Sequence, residues 1–178
     1  INLFYVIFII IFIFVSLSNT PIYDTMLYHH QVLNWFSDFA ISKNLIEIDI
    51  RLGMVSPWHM FLSLFNHKIN NYNLSFVANL IPLVILTLIS IQALEKKLSS
   101  LSDFFLINCY AFIITFSLIH PFGNGILLME LGSIGTDLAA SIFFILSVYF
   151  FMKFYESENQ NQKDLFFLYL IITCTLTF

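Results

Sequence analysis

Charged side chains are scarce in this sequence. Asp, Glu, Lys and Arg make up 10% of its 178 residues, whereas about a quarter of a typical soluble domain is charged. Apolar residues account for 59%, the chain holds 22 phenylalanines, and the mean hydropathy is +0.87. This scarcity excludes an ordinary soluble domain and predicts a membrane protein. With a net charge of -4 and seven scattered basic residues, the chain also lacks the basic stripe that binding to a nucleic acid requires.

Cysteine and glycine are also few. The two cysteines, Cys109 and Cys174, lie inside apolar runs without the spacing of a metal site, so we interpret them as small buried hydrophobic residues. The five glycines form no phosphate-binding loop. Neither a nucleophile elbow nor an HExxH pattern occurs. These absences exclude the soluble enzyme classes that depend on such motifs.

Five apolar runs with few or no charged residues organise the chain. They lack the period-two alternation of a barrel strand, so each predicts a helical membrane crossing. The runs cover residues 1–18, 74–94, 102–119, 136–154 and 165–178. The last has only fourteen residues, fewer than the roughly 20 that a bilayer requires, and residue 1 is Ile1 instead of Met. We therefore expect an all-α polytopic membrane domain over residues 1–178, as the N-terminal fragment of a longer protein, with a kink at Pro82.

Basic residues near the ends of the runs predict an orientation. Lysines flank the second and third runs, and the fourth and fifth, at Lys96, Lys97, Lys153 and Lys163. Because basic residues favour cytoplasmic connections, we expect these two connections to face the cytoplasm. The segment 19–73 and the connection 120–135 then face the opposite side.

Two amphipathic helices are expected in the outer segment 19–73. Thr20 with Pro21, and Ser56 with Pro57, each pair an N-cap residue with a first-turn proline. At helical spacing the first helix has a mostly apolar stripe, formed by Ile22, Met26, His29, Leu33, Phe36 and Ala40. The second helix has the apolar stripe Trp58, Phe61, Leu62 and Phe65. Such helices lie in the membrane interface, with aromatic rings at the level of the headgroups.

Two carboxylates are candidate catalytic groups. Asp24 follows the first run by a few residues, so we expect it near the membrane surface and partly desolvated. Asp137 opens the fourth run at the same outer face. Two acids there are suited to act as base and orienting group, or to bind a divalent cation that holds a phosphate. A structural interpretation stays open for both: Asp24 favours the positive end of a helix, and Asp137 with Thr136 caps another.

The residues that follow Asp24 are candidates for substrate binding. Tyr28, Gln31 and Trp35 share its helix face and combine aromatic surface with hydrogen-bonding groups, which sugars and polar headgroups require. His29 and His30 are adjacent, so they point in different directions and do not form the i, i+4 pair of a zinc site. The sequence therefore leaves any metal site unknown.

Three stretches carry a resemblance to a known family: YDTMLYHHQVLNW, IDIRLGMVSPWHMFLSLF and GTDLAAS. The layout, with an acid just after the first run, two outer helices and an acid at the start of a later run, resembles the GT-C superfamily of multi-pass glycosyltransferases. The three stretches themselves are more closely similar to a bacterial membrane family associated with surface polysaccharide synthesis. The positions that carry the resemblance are Asp24, Tyr28, His29, Arg51, Leu52, Gly53, Ser56, Trp58 and Asp137. Met54 stands where an aromatic residue is more usual, and the resemblance covers residues 1–150.

The resemblance implies a glycosyltransferase of the bacterial inner (plasma) membrane, with the Asp24 loop extracytoplasmic. Asp24 would be the catalytic base or metal-orienting carboxylate. Arg51, with Lys68 as second choice, would hold the phosphate of a polyprenyl-phosphate sugar donor, and Trp58 would contribute to substrate binding. The acceptor would be a glycan or a lipid. Two alternatives remain open: a transporter, flippase or polymerase of lipid-linked polysaccharide, and a noncatalytic membrane protein.

Overall fold

The chain folds as an all-α protein. The computed structural model describes residues 3–18, 28–39, 56–69, 72–96, 98–119, 137–156 and 162–176. Within these ranges the helices are α1 Leu3–Ser18, α2 His30–Phe39, α3 Pro57–Ser63, α4 Leu74–Ala78, α5 Ile81–Glu95, α6 Leu101–Ile119, α7 Asp137–Glu156 and α8 Gln162–Leu176. Two antiparallel strands of two residues each, β1 Lys68–Ile69 and β2 Tyr72–Asn73, pair Lys68 with Asn73 and Ile69 with Tyr72. The predicted all-α class is confirmed.

Each predicted apolar run is helical in its described part, with two helices in run 74–94, and two of the described helical segments have the length and composition to cross a membrane. These are Leu74–Glu95, with 22 residues, and Asp137–Glu156, with 20 residues. At 1.5 Å per residue the 20 residues of Asp137–Glu156 extend about 30 Å, which matches a hydrocarbon core of about 30 Å. The apolar part of α6, Leu101–Thr115, is shorter. The two long segments support membrane association.

The predicted kink at Pro82 takes a different form. The segment 74–95 is divided into α4 and α5 by a turn at Asn79 and Leu80, and Pro82 lies in the first turn of α5. Proline is tolerated there because the first amides of a helix have no intrahelical acceptor. Pro82 therefore helps to start α5 instead of bending a continuous helix.

The core lies between the long helices. Helix α7 packs against α5, α6 and α8, while α1 packs on α4. Fully buried side chains include Leu83 and Leu86 of α5 and Ile142 and Leu146 of α7. Large phenylalanines cover the outer faces of α6 and α7 and remain exposed: Phe104, Phe112, Phe144 and Phe151. Exposed apolar area of this extent is typical of surfaces that contact lipid or another protein.

Polar contacts are concentrated at the two ends of α5. At its start, Trp58 of α3 donates a hydrogen bond to Asn79 and contacts Phe143 in the first half of α7. Beyond its end, Ser102 of α6 binds Glu156, the last residue of α7. The 15 residues of α5 separate these polar regions by about 22 Å. The short helices α2 and α3 therefore cover one end of the bundle.

Candidate functional site

Helix α3 begins where the sequence predicts it. Ser56 has an extended backbone, with φ -108° and ψ 157°, and Pro57 is the first helical residue. The side chain of His59, at the third position of the helix, reaches back to the backbone N–H of Ser56. This contact is half of a capping box, in which Glu or Gln usually occupies the position of His59. It fixes the His59 ring at the start of α3.

His29 and His59 form a hydrogen-bonded pair across the α2–α3 contact. The Nδ1 atom of His29 lies 2.7 Å from the Nε2 atom of His59, and the rings stack with centroids 4.9 Å apart. On its other side, the Nδ1 atom of His59 lies 3.3 Å from the backbone nitrogen of Ser56 and 3.0 Å from its Oγ atom. Ser56, His59 and His29 therefore form a continuous hydrogen-bonded chain.

The backbone N–H of Ser56 fixes the positions of the protons in this chain. A backbone N–H only donates, so the Nδ1 atom of His59 must accept. A neutral His59 then carries its proton on Nε2 and donates it to the Nδ1 atom of His29. A neutral His29 consequently carries its own proton on Nε2. The chain thus presets His29 as a hydrogen-bond donor at Nε2.

Burial keeps His59 neutral. Its side chain is 1% exposed, and burial, with an additional effect of His29, lowers the pKa of His59 from 6.5 to about 4. A proton on Nδ1 would also set two N–H donors against each other, because the N–H of Ser56 already points there. At neutral pH, His59 is therefore an uncharged link between Ser56 and His29.

His30 differs from its neighbour. It is half-buried at the start of α2, and burial, followed by repulsion from Lys68, lowers the pKa of His30. The Nδ1 atom of His30 is buried and has no hydrogen-bond partner among the described residues. A buried polar atom without a partner costs about 1–3 kcal/mol. This nitrogen is a position where a ligand, or a residue outside the described ranges, would be stabilised.

An asparagine cluster continues the polar surface beside the histidines. The Nδ2 atom of Asn66 donates to Oδ1 of Asn34 at 2.9 Å and to Oγ of Ser37 at 3.1 Å. Its Oδ1 atom accepts from Nδ2 of Asn73 at 2.7 Å. Asn73 also caps α4, because its Oδ1 atom accepts from the backbone nitrogen and the Oγ atom of Ser75. These bonds join α2, the strand pair and α4 into one platform.

Trp58 attaches this platform to the long helices. Its Nε1 atom donates to Oδ1 of Asn79 at 2.8 Å. Its ring stacks on Phe61 with centroids 5.0 Å apart and meets Phe143 of α7 edge-on at 6.0 Å. The residue is buried. Trp58 thus holds the candidate site against α7, and its predicted contact with substrate stays a prediction.

The structure places some of the other predicted site residues at the histidine pair and others elsewhere. Tyr28 and His29 lie in a π-helical turn that leads into α2, and their rings are 4.1 Å apart; such turns occur frequently at functional sites. Gln31 is exposed on α2. Asp137 is exposed at the start of α7. Asp24 and Arg51 lie outside the described residues, as does the predicted helix start at Thr20 and Pro21.

The chemistry of the described part of the site is hydrogen bonding and proton transfer. Within the described ranges, no group of three or more His, Cys, Asp or Glu side chains is arranged to hold a metal ion. The site instead combines the imidazole of His29 and the ring of Tyr28 with the carboxamides of the asparagine cluster. Such a mixture suits a hydroxyl-rich ligand, because sugars present hydroxyls and apolar ring faces together.

The sequence did not predict the His29–His59 pair or the asparagine cluster. Position 59 carries one local signal, since it is the third helical residue after a Ser-Pro start. The stretch NHKINNYN, residues 66–73, carries another, because four of its eight residues are asparagines. Neither signal specifies that His59 contacts His29 or that Asn66 contacts Asn34.

Comparison with known proteins places the chain in a family without assigning a chemistry. Residues 1–178 match a family model described as "Domain of unknown function (DUF8201)". No curated protein and no solved structure matches the chain.

Proposed function

Because the chain belongs to this family, whose description names no activity, we propose a function from the site itself. The protein is a membrane glycosyltransferase that transfers a sugar from a polyprenyl-phosphate donor to a glycan or lipid acceptor at the extracytoplasmic face. The observation that carries the proposal is the hydrogen-bonded Ser56–His59–His29 chain, in which Ser56 and His59 are buried, next to a carboxamide cluster at one end of an apolar helix bundle.

The position of this hydrogen-bonded chain favours a lipid-linked substrate. Helices α2 and α3 cover the end of the bundle where α5 begins, and Trp58 joins them to α7. A sugar on a polyprenyl phosphate has its chain in the hydrocarbon core and its phosphate at the surface. A polar platform at the end of two helical segments long enough to cross the core suits that division. We propose five crossings, with α2 and α3 on the outside.

The proposed reaction assigns a different role to each group. Asp24 takes the proton of the acceptor hydroxyl, and Arg51 stabilises the departing phosphate. Asp137 supplies a second carboxylate at the same face. His29, preset as an Nε2–H donor by His59, provides a neutral hydrogen bond to an oxygen of the donor substrate. The carboxamides of the asparagine cluster bind sugar hydroxyls.

The test uses the full-length protein in cells that depend on it for a surface glycan. Asp24→Asn should reduce sugar incorporation into that glycan at least about a hundredfold, since general base catalysis contributes about 10²–10⁴-fold. Asp38→Asn is the matched control, because Asp38 is an exposed acid on α2. Undiminished incorporation by Asp24→Asn at normal protein level would refute the proposal.

A further inference from the structure

An apolar cavity lies between α5, α7 and α8, away from the histidine pair. Its volume is about 410 Å³. Most of its lining is apolar and includes Phe143, Leu146 and Ile171. Its polar lining groups, Gln92, Tyr149 and Lys153, come from the C-terminal parts of α5 and α7. The cavity therefore has an apolar end and a polar end.

The length of the cavity matches one leaflet of a bilayer. Phe143 and Lys153 are ten residues apart on α7, which corresponds to about 15 Å. Half of a hydrocarbon core is also about 15 Å. Lys153 lies three residues, or about 5 Å, before the C-terminal end of the 20-residue helix, so its long side chain reaches headgroup level when α7 crosses a membrane, while Phe143 lies about 5 Å beyond the midplane.

Among the residues that line the cavity, Lys153 is the charged one. Lys153 donates a hydrogen bond to the Tyr149 hydroxyl at 2.8 Å, and its ammonium lies 4.0 Å from Oδ1 of Asp103. The Lys153 side chain is 30% exposed, whereas that of Asp103 is 3% exposed. Both oxygens of Glu156 accept hydrogen bonds from Ser102. An ammonium has three donors, so Lys153 is the charged group that a ligand in the cavity meets.

We propose that this cavity binds an anionic phospholipid, with one acyl chain along α7 and the phosphate at Lys153. The apolar wall matches the chain, the length matches a single leaflet, and the ammonium matches the phosphate in charge. The proposal depends on the insertion of α7 in a membrane, which is part of the proposed function, but it does not depend on glycosyl transfer. Its polar end lies at the end of the bundle opposite to the histidine pair.

The test measures lipid binding to the full-length protein, purified in detergent and titrated with phosphatidylglycerol or phosphatidylcholine, by native mass spectrometry. Wild-type protein should bind phosphatidylglycerol more tightly than phosphatidylcholine. Lys153→Met should weaken that binding about fivefold, the factor for one ammonium at an anionic surface. Lys96→Met, which changes an exposed lysine at the end of α5, is the matched control and should have no effect.

A second variant protects the test against misfolding, because Lys153→Met removes the cation beside the buried carboxylate of Asp103. Leu170 lines the cavity and is 51% exposed, so Leu170→Trp fills the cavity without changing a charge. It should reduce phosphatidylglycerol binding while helicity, measured by circular dichroism, stays unchanged. Equal affinity of wild-type protein for the two lipids would overturn the proposal, as would unchanged binding in well-folded Leu170→Trp. Loss of sugar transfer in Asp24→Asn protein that still binds phosphatidylglycerol would separate this site from the catalytic one.

Discussion

The buried histidine of α3 should make the protein sensitive to mild acid. The pKa of His59 is lowered from 6.5 to about 4 in the folded chain, so the unfolded chain takes up a proton at higher pH than the folded chain does. Folding stability from this residue is therefore complete above pH 6.5 and is lost progressively as the pH falls towards 4. At about 1.4 kcal/mol for each pH unit, the total loss is roughly 3 kcal/mol.

His59→Gln removes the titration and keeps the helix cap. Glutamine is one of the residues that normally occupy this position of a capping box, and its side-chain oxygen can accept from the Ser56 N–H. Between pH 6.5 and pH 4, the variant should lose roughly 3 kcal/mol less stability than the wild-type protein. His67→Gln is the matched control, because His67 is exposed just beyond α3. It should follow the wild-type curve.

The assay is unfolding in detergent micelles at a series of pH values, followed by the fluorescence of Trp58. The chain has two tryptophans, so all proteins carry Trp35→Phe to leave Trp58 as the single probe. ¹⁵N spectra of the imidazoles provide a second measurement, and should show a neutral His59 with its proton on Nε2 at pH 6. Parallel stability curves for wild-type and His59→Gln proteins, or a His59 that titrates near pH 6.5, would refute the reasoning.

Two further predictions concern packing and the asparagine cluster. Leu86→Ala should destabilise the protein by about 2–5 kcal/mol, because Leu86 is fully buried and its loss leaves a cavity; Leu88→Ala on the exposed face of the same helix should cost far less in the same thermal unfolding assay. Asn66→Ala should cost about 1–3 kcal/mol, since it removes the partner of Asn34 and Asn73. Asn108→Ala, which only loses a bond to a carbonyl of its own helix, is the control, and equal losses in each pair would contradict these assignments.

Local chemistry explains which parts of the fold the sequence could predict. A run of apolar residues forms a helix in or beside a membrane because its backbone groups must bond within the segment, and a helix lies at each of the five runs. Ser56 and Pro57 predicted the start of α3 because capping involves residues that are close in sequence. Pro82 was harder to place, because its effect depends on whether a helix has already begun. The number of crossings and the orientation remain predictions.

The candidate site was only partly predictable, because its contacts join residues that are far apart in the sequence. His29 was selected with the residues near Asp24, but its partner His59 lies 30 positions away. Their contact requires that α2 packs on α3 in one particular rotation. The same holds for Asn34 with Asn66 and for Trp58 with Asn79, which are 32 and 21 positions apart. No local pattern specifies such partners.

The sequence by itself determined the apolar character of this protein, its helical class and the start of α3, because each follows from hydropathy or from bonds between near neighbours. Only the tertiary structure decided that His59 is buried and neutral, that it presets the tautomer of His29, and that Lys153 lies at the polar end of an apolar cavity. These properties arise from desolvation and from directional contacts between distant segments. Both depend on how the helices pack.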